Sequence, residues 1–452
     1  MSQSTTSQSN VILHAFDWPY ALVAERAEEI KTLGYKTVLV SPPMKSFRQS
    51  LPVQWWQLYQ PQDYRVIDNK LGNTEDFKAM MAALNEQGVW VYIDVVFNHM
   101  ANESGSRLDL QYPSNADIEG YQAHSQYFEQ QKLFGDLNEP LFDENDFVEA
   151  FGIKNWKDRW EVQHGRLTGG PSDPGLPTLR TSKRVIEQQQ AYLRAMKNLG
   201  VRGYRIDAAK HLSLEHIQAV FTQDITEGMH VFGEIITDGG ATKEEYELFL
   251  QPYLEETRLA AYDFPLFNTV FEVFEKKGSM ASLIDPYCFG QALTNARSIT
   301  FATTHDIPNN DVFQNLVLDE QNEWLAYVYI LGRDGGVPLI YSDLDPSGIK
   351  NQQGQPRWMN AWKDEKLSQL IQFYHRMHGE AFEIVEANDD ILAFTRGDKG
   401  LVIINKSSRE KSVSVDTTVK LQSALSDRLS VASGVVTVPE HSAAIFYIQP
   451  KK

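Results

Sequence analysis

Eight times over roughly the first 380 residues, a short apolar run rich in β-branched residues is followed by a stretch with helical hydrophobic spacing. That alternation constrains the fold more than any other feature, because parallel strands need long crossovers and parallel sheets are covered on both faces. Val11–Ala15 reads as a strand, and a helix is predicted over 21–33. There Val23, Ala27, Ile30 and Leu33 share one face, Glu25, Glu28 and Thr32 lie opposite, and Gly34 ends it. Lys36–Val40 is a second strand, closed by Ser41-Pro42-Pro43, and a helix over 75–87 stops before Gly88. Val89–Phe97, apolar on both faces, is a third strand, and a helix follows only near 182–199. The remaining pairs are 201–206 with 214–222, 230–235 with 242–250, 258–262 with 265–277, 298–302 with 322–332, and 337–341 with 364–377. Repeated right-handed βαβ units of this number fit an α/β chain closed into a (β/α)8 TIM barrel better than an open sheet.

One connection breaks the rhythm. About eighty residues rich in Asn, Gln, Asp, Gly and Pro separate the third strand from its helix, too long for a structureless loop in a compact domain. The expected organisation is therefore a barrel over 1–100 and 182–380 with a small inserted domain over 101–181. From about 381 the period changes to short strands between turns, at 391–394, 400–404, 412–415, 435–438 and 443–447, which predicts a C-terminal antiparallel β-sandwich over 381–452.

Charge and cysteine content narrow the partners. The 452 residues carry 42 Lys plus Arg against 60 Asp plus Glu, a net charge of −18, which disfavours nucleic acid. A single cysteine, Cys288, excludes an intrachain disulfide and a multi-thiolate zinc site. No apolar run reaches the 18 or so residues of a membrane span, and residues 1–10 are polar and uncharged, unlike a secretory leader. The expectation is a cytoplasmic monomer, with a secreted protein stripped of its signal as the alternative.

In such a barrel, chemistry belongs at the C-terminal strand ends. Four of these are polar: Asp94-x-x-x-Asn98-His99, Gly203-x-Arg205-x-Asp207-x-x-Lys210-His211, Gly233-Glu234 and His305-Asp306. Period-two spacing puts Arg205 beside Asp207, where a guanidinium should lower the carboxyl pKa and keep it ionised. Glu234 lies among Phe232, Ile235 and Ile236, where an acid keeps its proton near neutrality. Two carboxyl groups in unlike environments, about 5–5.5 Å apart, are what retaining glycoside cleavage requires. For any one of them alone, a salt-bridged carboxylate at the barrel mouth would be the plainer explanation; the four together point to a shared site.

These segments, in this order, resemble the α-amylase family of retaining (β/α)8 glycoside hydrolases over residues 11 to 380. The resemblance implies Asp207 as nucleophile, Glu234 as acid/base and Asp306 as a third carboxylate binding sugar hydroxyls. It implies that His99 and His305 hydrogen-bond the sugar at the cleavage subsite. Trp55-Trp56-Gln57-Leu58-Tyr59-Gln60-Pro61 is similar to the family's aromatic-Gln-Pro segment, with Tyr59 stacked on the sugar, Trp56 on the glycone side and Trp55 in the core. With Gln60, Asp94 and Arg205, these complete the implied substrate-binding set. Lys210-His211 resembles the leaving-side pair of endo-acting members.

The resemblance implies calcium between barrel and insert, held by the Asn98 side chain and the His211 carbonyl. Thr178 in Gly175-Leu176-Pro177-Thr178-Leu179 stands where the family has Asp, which weakens that site, with Asp173 as a substitute ligand. No chloride is expected, since Thr304 and Pro338 replace an Asn and a basic residue, and no organic cofactor is implied. The expected activity is endo-acting, retaining hydrolysis of α-1,4-glucosidic bonds in starch, glycogen or maltooligosaccharides. An exo-acting hydrolase or transglycosylase, or a non-catalytic carbohydrate-binding relative, are the alternatives.

Overall fold

The computed structural model describes residues 9–49, 51–170, 172–416, 418–425, 430–432 and 434–450. Residues 1–8, part of the segment compared above with a leader, lie outside the described residues. Eight parallel strands form a closed barrel: β1 (Ile12–Ala15), β2 (Thr37–Val40), β3 (Trp90–Val95), β4 (Gly203–Ile206), β5 (His230–Gly233), β6 (Ala260–Tyr262), β7 (Ser298–Phe301) and β8 (Val337–Ser342). Each pairs with its sequence neighbour, and β1 closes the ring with Ile12 opposite both Thr37 and Leu339. Closure removes the unpaired edges of an open sheet. Apart from the entering residues Trp90, His230 and Val337, every strand residue is buried, as the doubly apolar runs require.

The crossover helices carry the predicted faces. Lys183–Asn198 is capped by the Ser182 side chain, which accepts from Val185 N, and it buries Val185, Gln189, Tyr192, Leu193 and Met196 on one stripe. Two helices depart from expectation. The segment 21–33 is split into Tyr20–Glu25 and Ala27–Thr32 at Arg26, whose guanidinium lies 4.4 Å from the Trp18 ring centroid and 5.6 Å from that of Trp362. That long-range attraction leaves no trace in local periodicity. The helix expected over 242–250 begins later, as a π-turn Tyr246–Leu250 running into Gln251–Glu256. Residues before it are committed to a loop in which Ala241 N donates to Gly290 O, while Pro252 suits the helix's first turn.

The excursion after β3 leaves and returns at one place. Met100 N donates to Pro177 O and Leu179 N to Asn98 O, so its two ends are zipped together at the barrel mouth. Between them lie short helices, among them Asn115–Ala123, Ser125–Gln131 and Arg159–His164.

Beyond residue 380 the chain forms β9 (Phe382–Ala387), β10 (Ile391–Arg396), β11 (Gly400–Asn405), β12 (Lys411–Ser414), β13 (Val419–Ser423), β14 (Ser430–Ala432), β15 (Val435–Val438) and β16 (Ser442–Pro450). Five make one antiparallel sheet, ordered β9-β10-β11-β16-β13, and three make another, β12-β15-β14. Alternation divides the larger sheet. Leu392, Phe394, Val402, Ile404 and Ile445 join the barrel's core, whereas Ile391, Ala393, Leu401, Ile403, Ala444 and Phe446 pack with Val413, Val436 and Val438 of the smaller sheet. Sequence reading missed β9, β13 and β14. β9 is a largely exposed edge with a register shift between Ile384 and Glu386, so it shows no clean alternation. Among the described residues, no helix is long and apolar enough to cross a membrane.

Candidate active site

The ladder carries the key carboxyls one step past the strand ends. Asp207 N donates to Val95 O and Glu234 N to Ile206 O, so β3, β4 and β5 present neighbouring side chains at one mouth. The chain turns away directly after Asp207 through Ala208, held at φ 47°, a left-handed conformation that costs a non-glycine residue energy and is commonest at functional sites.

One guanidinium organises the centre. Arg205 Nη1 lies 2.8 Å from both Asp94 oxygens and 2.8 Å from Asp207 Oδ1, while Nη2 pairs with Glu234 Oε1. Ala208 N donates to Glu234 Oε2 at 3.2 Å. A side-chain hydrogen bond between Asp306 and Glu234 raises the Glu234 carboxyl and lowers that of Asp306.

Three carboxyl groups around one fixed cation cannot all shed their protons cheaply. Burial pushes the Glu234 carboxyl up, and Arg205 only partly opposes this. The sequence predicts that Arg205 depresses Asp207. In the structure burial outweighs the guanidinium and the Asp207 carboxyl is raised, a correction to that expectation. Asp94, wholly buried, is pushed up to about 8 by burial.

Several residues expected to touch substrate are placed otherwise. Asp94 and Arg205 are 0% exposed, so they position neighbours rather than meet a ligand. Asp94 also accepts from the Tyr59 hydroxyl at 2.9 Å. Gln60 uses its side-chain oxygen to accept from Asn102 N at 3.0 Å. His99 Nε2 donates to Tyr59 O at 2.9 Å, and its Nδ1 faces Asn98 Nδ2 at 3.3 Å, so both ring nitrogens are engaged. Lys210 is turned aside: Nζ pairs with Glu245 Oε1 at 2.9 Å and donates to Ile236 O. His211 is likewise withheld from solvent, buried with Nδ1 against Val162 O at 2.9 Å, and burial lowers its pKa to about 4. Asp207, Glu234 and Asp306 do come together, with Asp306 the most open of the three.

An aromatic wall flanks them. His305 lies between Phe16 and Tyr59, stacked on each at centroid distances of 4.6 and 5.1 Å, and burial lowers its pKa to about 3, so it is neutral. Its Nε2 lies 3.5 Å from Asp306 Oδ2. Trp55, expected in the core, is half-buried and edge-on to both Tyr59 and His305, while Trp56 points outward. Phe16, His14 (edge-on to His305 at 5.4 Å) and Glu245 were not singled out from sequence. Only the strand-end position of the first two carried any signal.

The residues implied for calcium do not assemble a fitting donor set. Thr178 Oγ1 donates to Gly165 O at 3.1 Å, so a hydroxyl donor stands where a hard cation wants a carboxylate. Asp173 is exposed, and its Oδ1 accepts from Asn102 Nδ2 and Gly175 N instead of turning to Asn98. His211 and Asn98 remain as neutral groups. Among the described residues, no cluster of three or more His, Cys, Asp or Glu is arranged to hold a metal.

Comparison with known proteins agrees with this geometry. A family model described as the α-amylase catalytic domain matches residues 22–313. An α-amylase of Aeromonas hydrophila is 46% identical over 411 residues, covering 91% of this chain and 87% of that protein. The crystal structure of α-amylase I from Eisenia fetida is similar with a TM-score of 0.77 at 18% identity, covering 99% of both chains. A glutamate-to-glutamine variant of that enzyme, solved as a maltohexaose complex, gives 0.74 at 18% identity with the same coverage. The closed barrel, the carboxyl cluster at its mouth and these matches lead to one conclusion: the chain belongs to the α-amylase family and is an α-amylase-type glycoside hydrolase.

Proposed function

We propose that the protein cleaves internal α-1,4-glucosidic bonds of starch, glycogen or maltooligosaccharides with retention of configuration. The observation that carries this reading is the division of labour around Arg205. It holds Asp207 and Glu234 side by side, while burial and the neighbouring Asp306 push the Glu234 carboxyl up. Side-by-side carboxyls favour the short separation of retaining enzymes, about 5–5.5 Å, over the wider gap that admits a water between them.

In the first step an Asp207 oxygen attacks the anomeric carbon and the glycosidic C–O bond breaks. The electron pair passes to the leaving oxygen, which takes the proton of Glu234. Water then attacks the same carbon, Glu234 accepts a proton from it, and the bond to Asp207 breaks. Asp306 binds the hydroxyls of the distorted sugar, a role its being the most open of the three carboxyls supports. The maltohexaose bound by the Eisenia variant supports a glucan chain as ligand. The Thr178–Gly165 hydrogen bond and backbone pairing join insert and barrel at the place where the family's cation would sit.

Maltoheptaose followed by NMR tests the reading. The α-anomer should appear first, and several internal bonds should be cut. A β-anomer formed first, or release of single glucose units from one end alone, would refute it.

A further inference from the structure

Phe16 and Tyr59 cover the two faces of His305, so any further ring that touches it must come in at the rim. At one point of that rim Nε2 lies 3.5 Å from Asp306 Oδ2. Two rings meet the rim perpendicularly: Trp55, half-buried, with centroids 5.9 Å apart, and His14 of β1, wholly buried, at 5.4 Å. His14 takes no part in the proposed bond-breaking steps, yet an imidazole is a costly group to bury without partners. Among the described residues, neither of its ring nitrogens has a hydrogen-bond partner, and the same holds for the buried His305 Nδ1 and Arg205 Nε. The nearby phenols are committed elsewhere, Tyr59 donating to Asp94 and Tyr341 to Asp343, each at 2.9 Å.

Buried polar atoms of this kind are satisfied by one another or by a trapped water. The direction of the bonds follows from counting protons. Burial keeps both imidazoles neutral, so each carries one N–H and one lone pair. A guanidinium can only donate, and the Arg205 charge acts on both rings, so the His14 nitrogen turned to Arg205 accepts. The other His14 nitrogen then donates, and the buried lone pair on offer is that of His305 Nδ1. The His305 proton is left on Nε2, the nitrogen that faces Asp306.

We propose that His14 is a positioning residue for the cleavage subsite: its N–H engages His305 Nδ1, directly or across one water, and fixes the tautomer that presents Nε2–H to Asp306 and the sugar. The sugar's part rests on the proposed function; the tautomer is a property of the free enzyme. The test uses His14→Gln, which keeps a donor and an acceptor, and His14→Leu, which keeps neither. Two-bond proton–nitrogen correlation spectra of histidine-labelled free enzyme, with His305 identified by the signal lost in His305→Gln, show which nitrogen carries the proton. Wild type and His14→Gln should show Nε2–H, and His14→Leu a mixture of both tautomers. On maltoheptaose, kcat of His14→Leu should fall about tenfold with KM changed less than about twofold, because hydrogen bonds to the sugar strengthen in the transition state. His14→Gln should recover most of that loss. A proton on Nδ1 in the wild type, an unchanged tautomer in His14→Leu, or equal losses of kcat in the two variants would overturn the proposal. The wild-type spectrum decides against or for it even where His14→Leu does not fold. A wild type with Nε2–H but no activity on maltoheptaose would overturn the proposed function, while the His14→Leu spectrum would still decide whether His14 sets the tautomer.

Discussion

Replacing Arg205 with Met removes the cation that three carboxyls share. Arg205 is fully buried, and its two terminal nitrogens reach Asp94, Asp207 and Glu234. Stripping one partner from a buried ionic cluster costs about 3–5 kcal/mol when the remaining charges are left uncompensated. The cost depends on pH. All three carboxyls are raised in the folded protein, so folding binds protons and wild-type stability falls as pH rises from the unfolded values, near 4, toward the folded ones. Arg205 lowers each of them, so its loss raises each further. The variant's added penalty therefore begins only above each wild-type folded pKa, because below it both proteins carry the proton. For Asp94 that threshold is about 8. Urea unfolding at pH 5 and pH 9 measures the difference. The deficit should be larger at pH 9 than at pH 5, with the ionisation of Asp94 above its threshold adding up to about 1.4 kcal/mol. A deficit equal at both pH values would refute the shared-cation account.

Glu234→Gln should cost much more activity on maltoheptaose than on α-maltotriosyl fluoride, because only the poor leaving group needs the proton; equal losses on the two would remove Glu234 from the acid role. Chelator or added calcium should leave the melting temperature of the wild type unchanged, whereas Thr178→Asp should be destabilised without calcium and recover with it. A calcium-dependent rise in the wild type would contradict the neutral donor set at Thr178, Asn98 and His211. Phe394→Ala, fully buried on the sheet face that meets the barrel, should lower unfolding free energy by about 3–5 kcal/mol, and a loss under about 1 kcal/mol would show that this face is not packed as described.

Much of the site was readable from residue order. Asp207, Glu234 and Asp306 follow the ends of β4, β5 and β7, and strand ends are marked by where apolar runs stop. What surrounds them was not readable. Lys210 looked available until Glu245, thirty-five positions later, was seen to hold it. Of two adjacent tryptophans, Trp55 rather than Trp56 meets Tyr59 and His305, because the turn Trp55–Tyr59 directs them and not their chemistry.

Hydrophobic spacing, a property of neighbours along the chain, was enough by itself to specify eight strand–helix units, a closed parallel barrel and the order of its carboxyls. Ionisation was decided only by the tertiary structure. Whether Asp207 is raised or lowered depends on burial set by β3, β4, β5 and β7 together, and there desolvation exceeds the pull of an adjacent guanidinium. Removal from water is a sum over every surrounding segment, and no single segment of sequence contains it.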